Sequence, residues 1–350
     1  MTSFPFWLFP LLLLIAYIAT VLLVPVNIRF SKKHEFISVP NERSIHKQPM
    51  PTAGGLSIGI VLVCLQIIIG LFNLSQEFGK YLLALGGISV VIIIVGMLDD
   101  RFHLRVRYKF LGQIIVAVLM FLAGYRVCYL TNPLGADFQL TWMSLPVTLI
   151  WFLITMNAIN LIDGLDGLAA GITCIVSVVL AVIGFLGHNP PVLVLTALLL
   201  GTNLAFLKYN FFPAKIFMGD TGSLLLGLNI GAVATAGNAT FKGITTMTLM
   251  VPVIALAIPL LDTLLAVVRR SLRHESIFKA DKSHLHHYLL RLGLSQSSIA
   301  LLIYFITALF GLAAIGFYFS SNKILFSLLV LLMAVLIILG YYLIHKGQKL

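Results

Sequence analysis

The chain has 350 residues, is 60% hydrophobic and 10% charged, carries a formal net charge of +11 and has a mean hydropathy of +1.05. A soluble domain has about 25% charged residues, so these values exclude a globular domain with one anchor and define a polytopic membrane protein. The apolar stretches do not alternate with polar residues, which excludes an outer-membrane barrel and leaves an all-α fold.

A helix needs about 20 residues to cross a bilayer. Eleven transmembrane helices are predicted, at 7–26, 53–72, 81–98, 110–128, 142–159, 168–187, 190–207, 221–238, 244–267, 298–318 and 323–344. The opening MTSFPFWLFPLLLL has no basic n-region and no small-residue cleavage site, and is read as a retained first helix. With the N-terminus outside, 19 of the 23 Lys and Arg fall on the inner side, and the positive-inside rule then puts the C-terminus in the cytoplasm. Ten of the twelve acids fall on that side as well, so the cytoplasmic face is the chemically equipped one. A net positive face suits anionic lipid or a phosphate-rich substrate. The chain reads as one transmembrane domain with cytoplasmic loops at 27–52, 99–109, 160–167, 208–220 and 268–297. Cys64, Cys128 and Cys174 stand singly in apolar runs and read as small buried hydrophobes.

Asn41 to Ile58, NERSIHKQPMPTAGGLSI, is either a plain connector or a flap over a site. GMLDDRFHLRVRYKFLGQ, Gly96 to Gln113, ends the third span on Asp99 and Asp100. Adjacent carboxylates at a membrane boundary repel each other until a cation neutralises them. Lys109 opens the next helix, ten residues after Asp99. NAINLIDGLDGLAAG, Asn157 to Gly171, puts two amides (Asn157, Asn160) and two carboxylates (Asp163, Asp166) between two apolar runs. If the fifth helix continues that far, Asn160, Asp163 and Asp166 share one face. Amide and carboxylate oxygens are the hard ligands that Mg2+ prefers.

Further on, Asp220, Thr221 and Ser223 open the eighth span, where a helix N-terminus favours an anion or a Mg2+-phosphate. Phe211, Phe212 and Phe217, with Asn210, read either as a stacking wall and amide contact for a nucleobase or as interfacial anchors. Val267 to Gly293 joins Arg269, Arg270 and Arg273 to Asp281 and to His284, His286 and His287. No cysteine and no H-E-x-x-H spacing accompanies these histidines. Beside arginines they suit phosphate binding or proton movement better than zinc.

Taken together, GMLDD, NAINLIDGLDGL, FMGDTGSL and ADKSHLHHYLLRLG resemble, in order, the motifs of the polyprenyl-phosphate N-acetylhexosamine-1-phosphate transferases. The last motif is more similar to the UDP-GlcNAc branch than to the muramoyl-pentapeptide branch. The resemblance implies ten or eleven transmembrane helices around a cytoplasmic cleft, often in a homodimer, in the bacterial inner membrane. It implies transfer of GlcNAc-1-phosphate from UDP-GlcNAc to undecaprenyl phosphate with release of UMP, at the start of an envelope glycan. Mg2+ or Mn2+ would be held by Asp220, Asn160 and Asp163. Asp99 and Asp100 would bind or deprotonate the lipid phosphate, and Lys109 would contact phosphate. In the same motif Asp163 and Asp166 would be catalytic, as would the three histidines, and Asn157 would bind substrate. Asn210 and Phe217 would line the uridine pocket, and Arg269, Arg270 and the three histidines would meet the pyrophosphate or the sugar. No nucleic-acid partner is expected. The muramoyl-pentapeptide transferases are the rival activity and an ion-coupled transporter the rival class. A transporter calls for polar groups at mid-span and an outer exit, whereas these acids gather at one end.

Overall fold

The computed structural model describes residues 7–40, 48–72, 76–130, 138–236 and 292–319, with isolated positions elsewhere. Over these residues the chain is helical: α1 (Leu8–Lys33), α2 (Gly55–Leu71), α3 (Gln76–Phe102), α4 (Val106–Leu122), α5 (Ser144–Ile162), α6 (Leu168–Leu186), α7 (Pro190–Asn210), α8 (Gly219–Ala236) and α9 (Gln296–Phe319). Among the described residues, six helices are long and apolar enough to cross a membrane: α1, α3, α5, α6, α7 and α9. These establish a multi-pass membrane protein. Nine of the predicted spans coincide with helices; those at 244–267 and 323–344 fall largely outside the described residues.

Two short antiparallel pairs depart from the purely helical expectation. β1 (Ile37–Ser38) pairs with β2 (Met50–Pro51), Ile37 opposite Pro51. β3 (Tyr129–Leu130) pairs with β4 (Phe138–Gln139), Tyr129 opposite Gln139. Both lie in connectors, where backbone groups left over from helix ends need partners.

The helices overrun the predicted span limits at one end of the bundle. α1 runs on to Lys33, α3 to Phe102 and α5 to Ile162. Asp99 and Asp100 therefore sit in the last turns of a helix rather than in a loop, and only residues 103–105 separate α3 from α4. Hydropathy windows stop at the first charged residue, whereas the helix itself continues while its side chains find partners.

α8 is the axis of the bundle, buried at every position from Thr221 to Thr235. α3 and α5 flank it, α2 joins α3 against it, and α7 carries α1 and α6 on its outer side, with α9 against α6. Glycines allow the closest approaches. A Cβ on Gly55 would fall on the Gly222 backbone, and one on Gly96 would fall on that of Thr221. Such contacts let backbones of membrane helices pack without intervening side chains. Deeper in, the Gln66 amide of α2 donates to Asn229 Oδ1 of α8 (2.7 Å), a polar tie between two helices within the apolar interior. The cysteines are free, and Cys64 is exposed on α2 rather than buried.

Candidate active site

The C-terminal ends of α3, α5 and α7 and the N-terminal ends of α4, α6 and α8 meet at one end of the bundle. Lys109, in the first turn of α4, reaches into this end. Its ammonium forms an ion pair with Asp99 of α3 (3.0 Å) and another with Asp220 of α8, and donates to Asn160 Oδ1 of α5 (3.2 Å). The three side chains that pair ionically are mostly shielded: Asp99 is 11% exposed, Lys109 17% and Asp220 29%. Asn160 closes the ring, donating to Asp220 Oδ1 (2.6 Å) and Ser223 Oγ (2.9 Å). One cation thus gathers oxygen ligands from three helices. In this half-dry setting each pair is stronger than on an open surface.

Asp100 does something different from its neighbour. Its Oδ1 accepts from the backbone N–H of Asp220 (2.7 Å), and its Oδ2 accepts from the backbone N–H (3.0 Å) and hydroxyl (2.5 Å) of Thr221. It caps α8 from another helix, satisfying first-turn N–H groups that have no partner within α8. Gly96, one turn earlier, brings α3 close enough for this. Of the two carboxylates expected to meet a lipid phosphate, Asp99 faces the lysine and Asp100 accepts from the start of α8.

The shared helical face expected for Asn160, Asp163 and Asp166, had the fifth helix continued that far, is corrected. α5 ends at Ile162; Asp163 follows as its C-cap (φ −74°, ψ 46°), and Gly167 takes the left-handed conformation (φ 77°) before α6. The glycines of the motif favour a turn there rather than continued helix. Asn160 stays on the helix and joins the Lys109 ring, while Asp166 turns aside to accept from the backbone N–H of Ala214 (3.0 Å). Among the described residues no donor reaches the Asp163 carboxyl. Burial first, then the charges of Asp220, Asp100 and Asp166, holds its pKa well above the usual carboxylate range. A cation placed beside these acids would favour the ionised Asp163 carboxylate.

Asn157 lies one turn below Asn160. Its amide donates to Gln113 Oε1 (2.7 Å) and Leu153 O (2.8 Å), so it supports the floor of the site. Gln113 was not singled out in the sequence; it is buried four residues after Lys109, and that i,i+4 spacing was the available signal. Asn210, expected to meet a base, is 3% exposed; it accepts from Gly167 N–H (3.1 Å) and donates to Ile216 O (2.9 Å). Its placement is that of a tie between two turns. Phe217 donates its N–H to Pro51 O (2.8 Å) and accepts from Gly54 N–H (2.9 Å), and Met218 O accepts from Gly55 N–H (2.8 Å). Residues 51–55 are thus laced to the approach to α8, and α1 secures them through Asn27 to Ala53 O and Ser31 to Thr52 O, both 2.9 Å. Over those residues the segment is an anchored strap, not a flap. Arg269, Arg270, His284, His286 and His287 lie outside the described residues.

Two carboxylates and an amide oxygen around a lysine, with the acid Asp163 near Asp220, are the equipment for handling a phosphate and a hard cation. Among the described residues no three acids, histidines or cysteines stand close enough to form a metal cage as they are, because Lys109 occupies the centre of the acid cluster. The donors nevertheless fit such an ion in kind, all being hard oxygens that already surround one positive charge.

The helices and this centre make a multi-pass membrane protein with a buried acid–lysine site. Residues 82–238 match Glycosyl transferase family 4. The chain is 37% identical over 303 residues to the probable undecaprenyl-phosphate N-acetylglucosaminyl 1-phosphate transferase of Bacillus subtilis, covering 86% of this chain and 83% of the relative. It is 35% identical over 316 residues to the decaprenyl-phosphate N-acetylglucosaminephosphotransferase of Mycolicibacterium smegmatis, covering 83% and 76%. A phospho-N-acetylmuramoyl-pentapeptide-transferase of Caldicellulosiruptor bescii is more distant, 30% identical over 333 residues, covering 87% and 96%. The chain belongs to glycosyl transferase family 4, among its polyprenyl-phosphate N-acetylhexosamine-1-phosphate transferases.

Proposed function

We propose that the protein transfers N-acetylglucosamine-1-phosphate from UDP-GlcNAc to undecaprenyl phosphate. A lipid phosphate oxygen bonds to the β-phosphorus, the bond from that phosphorus to the bridging oxygen breaks, and UMP leaves with that oxygen. The observation that carries the reading is the ring of Asp99, Asp220 and Asn160 on Lys109. Its support from comparison is the acceptor and sugar phosphate named for the Bacillus relative.

The chemistry of joining two anions sets the requirements. A phosphate monoester has its second pKa near about 6, so the attacking oxygen is already ionised at neutral pH and needs little help from a base. Charge compensation and alignment dominate instead. Lys109 supplies fixed positive charge, and Asp99 orients it. Asp100 fixes the start of α8 and hence Asp220. Mg2+ or Mn2+, with Asp220, Asn160 and Asp163 as its ligands, would neutralise pyrophosphate oxygens.

In this reading the chain crosses a bacterial inner membrane eleven times, with the N-terminus outside and the site in the cytoplasm, and works as a homodimer. Arg269, Arg270 and the three histidines meet the pyrophosphate or the sugar. The test uses purified protein in detergent with undecaprenyl phosphate and Mg2+, and follows UMP release from UDP-GlcNAc and from UDP-MurNAc-pentapeptide. Release from UDP-GlcNAc that needs lipid, metal and Asp220 supports the proposal. Release from the pentapeptide donor alone replaces the substrate, and silence with every UDP-sugar refutes the reading.

A further inference from the structure

The turn between α5 and α6 carries Asp163 and Asp166, and it is gripped from three sides. Gly167 ends it. The Gly167 N–H donates to Asn210 at the end of α7 (3.1 Å), and its carbonyl accepts from the Tyr304 hydroxyl of α9 (2.6 Å). Asp166 accepts from Ala214 in the segment that leads to α8 (3.0 Å). Tyr304 is also locked by packing: a Cβ on Gly171 would fall on its phenol ring, so the ring fills the space a side chain would take. The Gly167 carbonyl already accepts the first bond of α6, from Gly171 N–H (2.9 Å), so the tyrosine takes its second lone pair.

This contact is not required for α6 to form, since the helix bond is made without it. What the hydroxyl adds is a fixed direction for the Gly167 peptide, and with it the path of residues 163–167. Asn210 extends the brace, donating to Ile216 O two residues before Met218, whose carbonyl is tied to Gly55. A displacement of the acid turn therefore shifts both Asp163 and the approach to Asp220. We propose that Tyr304 is a positioning residue for phosphoryl transfer, holding the Asp163–Gly167 turn in register with Asp220 from a helix 137 residues away in sequence from Gly167. The proposal rests on the transferase reading given above.

Tyr304→Phe keeps the ring over Gly171 and removes the hydroxyl. The control is Tyr318→Phe, at the far end of the same helix pair, where the phenol oxygen lies beside Gly187. Hydrogen–deuterium exchange and steady-state UMP release are measured on both. The Tyr304 variant is expected to exchange faster at residues 163–171. Its kcat should fall roughly tenfold, with KM for UDP-GlcNAc changed less than about threefold, because small misplacements act on the reacting geometry more than on binding. The Tyr318 variant should match it in melting temperature and keep the wild-type kcat. Unchanged exchange at 163–171, equal kcat in the two variants, or a kcat loss that tracks melting temperature across both overturns the proposal. A wild type that releases no UMP from any UDP-sugar refutes the transferase reading and the kinetic consequence with it; the exchange measurement then still decides whether the brace exists.

Discussion

Asp99 and Asp100 are adjacent in sequence and chemically identical, and their contacts predict different losses of stability. Asp100→Ala deletes a carboxylate that accepts from two backbone N–H groups and one hydroxyl at the start of α8. A hydrogen bond to a charged group contributes about 1.5–3 kcal/mol, an N-cap typically ~1 kcal/mol and a carboxylate at a partly buried helix start up to ~2 kcal/mol. These overlap rather than add, so a loss of about 3 kcal/mol is expected. For a chain of this size that lowers the melting temperature by roughly 5 °C. Asp99→Ala removes one charge-assisted contact of Lys109 but leaves the ammonium paired with Asp220 and bonded to Asn160, so it costs about 1.5 kcal/mol. Both variants lose activity: Asp99→Ala through the lysine, Asp100→Ala through a displaced Asp220. Asp100→Asn should fall between, because its amide oxygen still accepts from one N–H while its NH2 leaves the other N–H without an acceptor. The assay pairs thermal unfolding in detergent with UMP release. An Asp100→Ala protein that melts like wild type, or like Asp99→Ala, refutes the capping argument and returns Asp100 to direct contact with substrate.

Other expectations follow from the same contacts. Lys109→Met leaves Asp99 and Asp220 facing each other without a cation, which costs about 3 kcal/mol when an ion pair of this burial loses one partner; Mg2+ should recover more melting temperature in this variant than in wild type, and equal gains would count against it. Asp163 has a raised pKa from burial, so the folded state holds its proton more tightly than the unfolded chain. Stability in chelator should therefore decline as pH rises from the ordinary carboxylate range toward that raised value. Asp163→Asn should remove the decline while abolishing transfer, and superimposable pH–melting curves would contradict this. Gly96→Val places a side chain against the Asp220–Thr221 backbone, so about 3 kcal/mol of overpacking and loss of the Asp100 cap should appear together in melting and UMP assays; wild-type values would show that α3 and α8 do not approach this closely.

Much of the site could be read before any coordinates, because its chemistry depends on residue types that are costly in an apolar chain. Asp99, Lys109, Asn160 and Asp220 stood out for that reason, and the structure brings all four together. Their division of labour was not legible. Whether a carboxylate meets a lysine or a helix end depends on the rotation of α3 against α8, which Gly96 settles by contact. Helical spacing suggested one face for Asn160, Asp163 and Asp166, and the glycines between them broke it. Asn210 looked like a ligand contact because it is polar beside aromatics, yet its partners are backbone groups that a sequence does not display. Tyr304 gave no signal at all, being one aromatic in an apolar helix.

The pairing of Asp99 with Lys109 also bears on how the chain enters the bilayer. The two residues belong to consecutive helices joined through residues 103–105, and their side chains lie 3.0 Å apart. A carboxylate or an ammonium carried alone into hydrocarbon is expensive. Side by side at the membrane boundary, the two neutralise each other within a single hairpin, α3 with α4. Asp220 arrives two hairpins later and is met by a lysine already in place. The order of helices along the chain thus completes the first ion pair of the site within one hairpin and leaves the second to a helix that follows later.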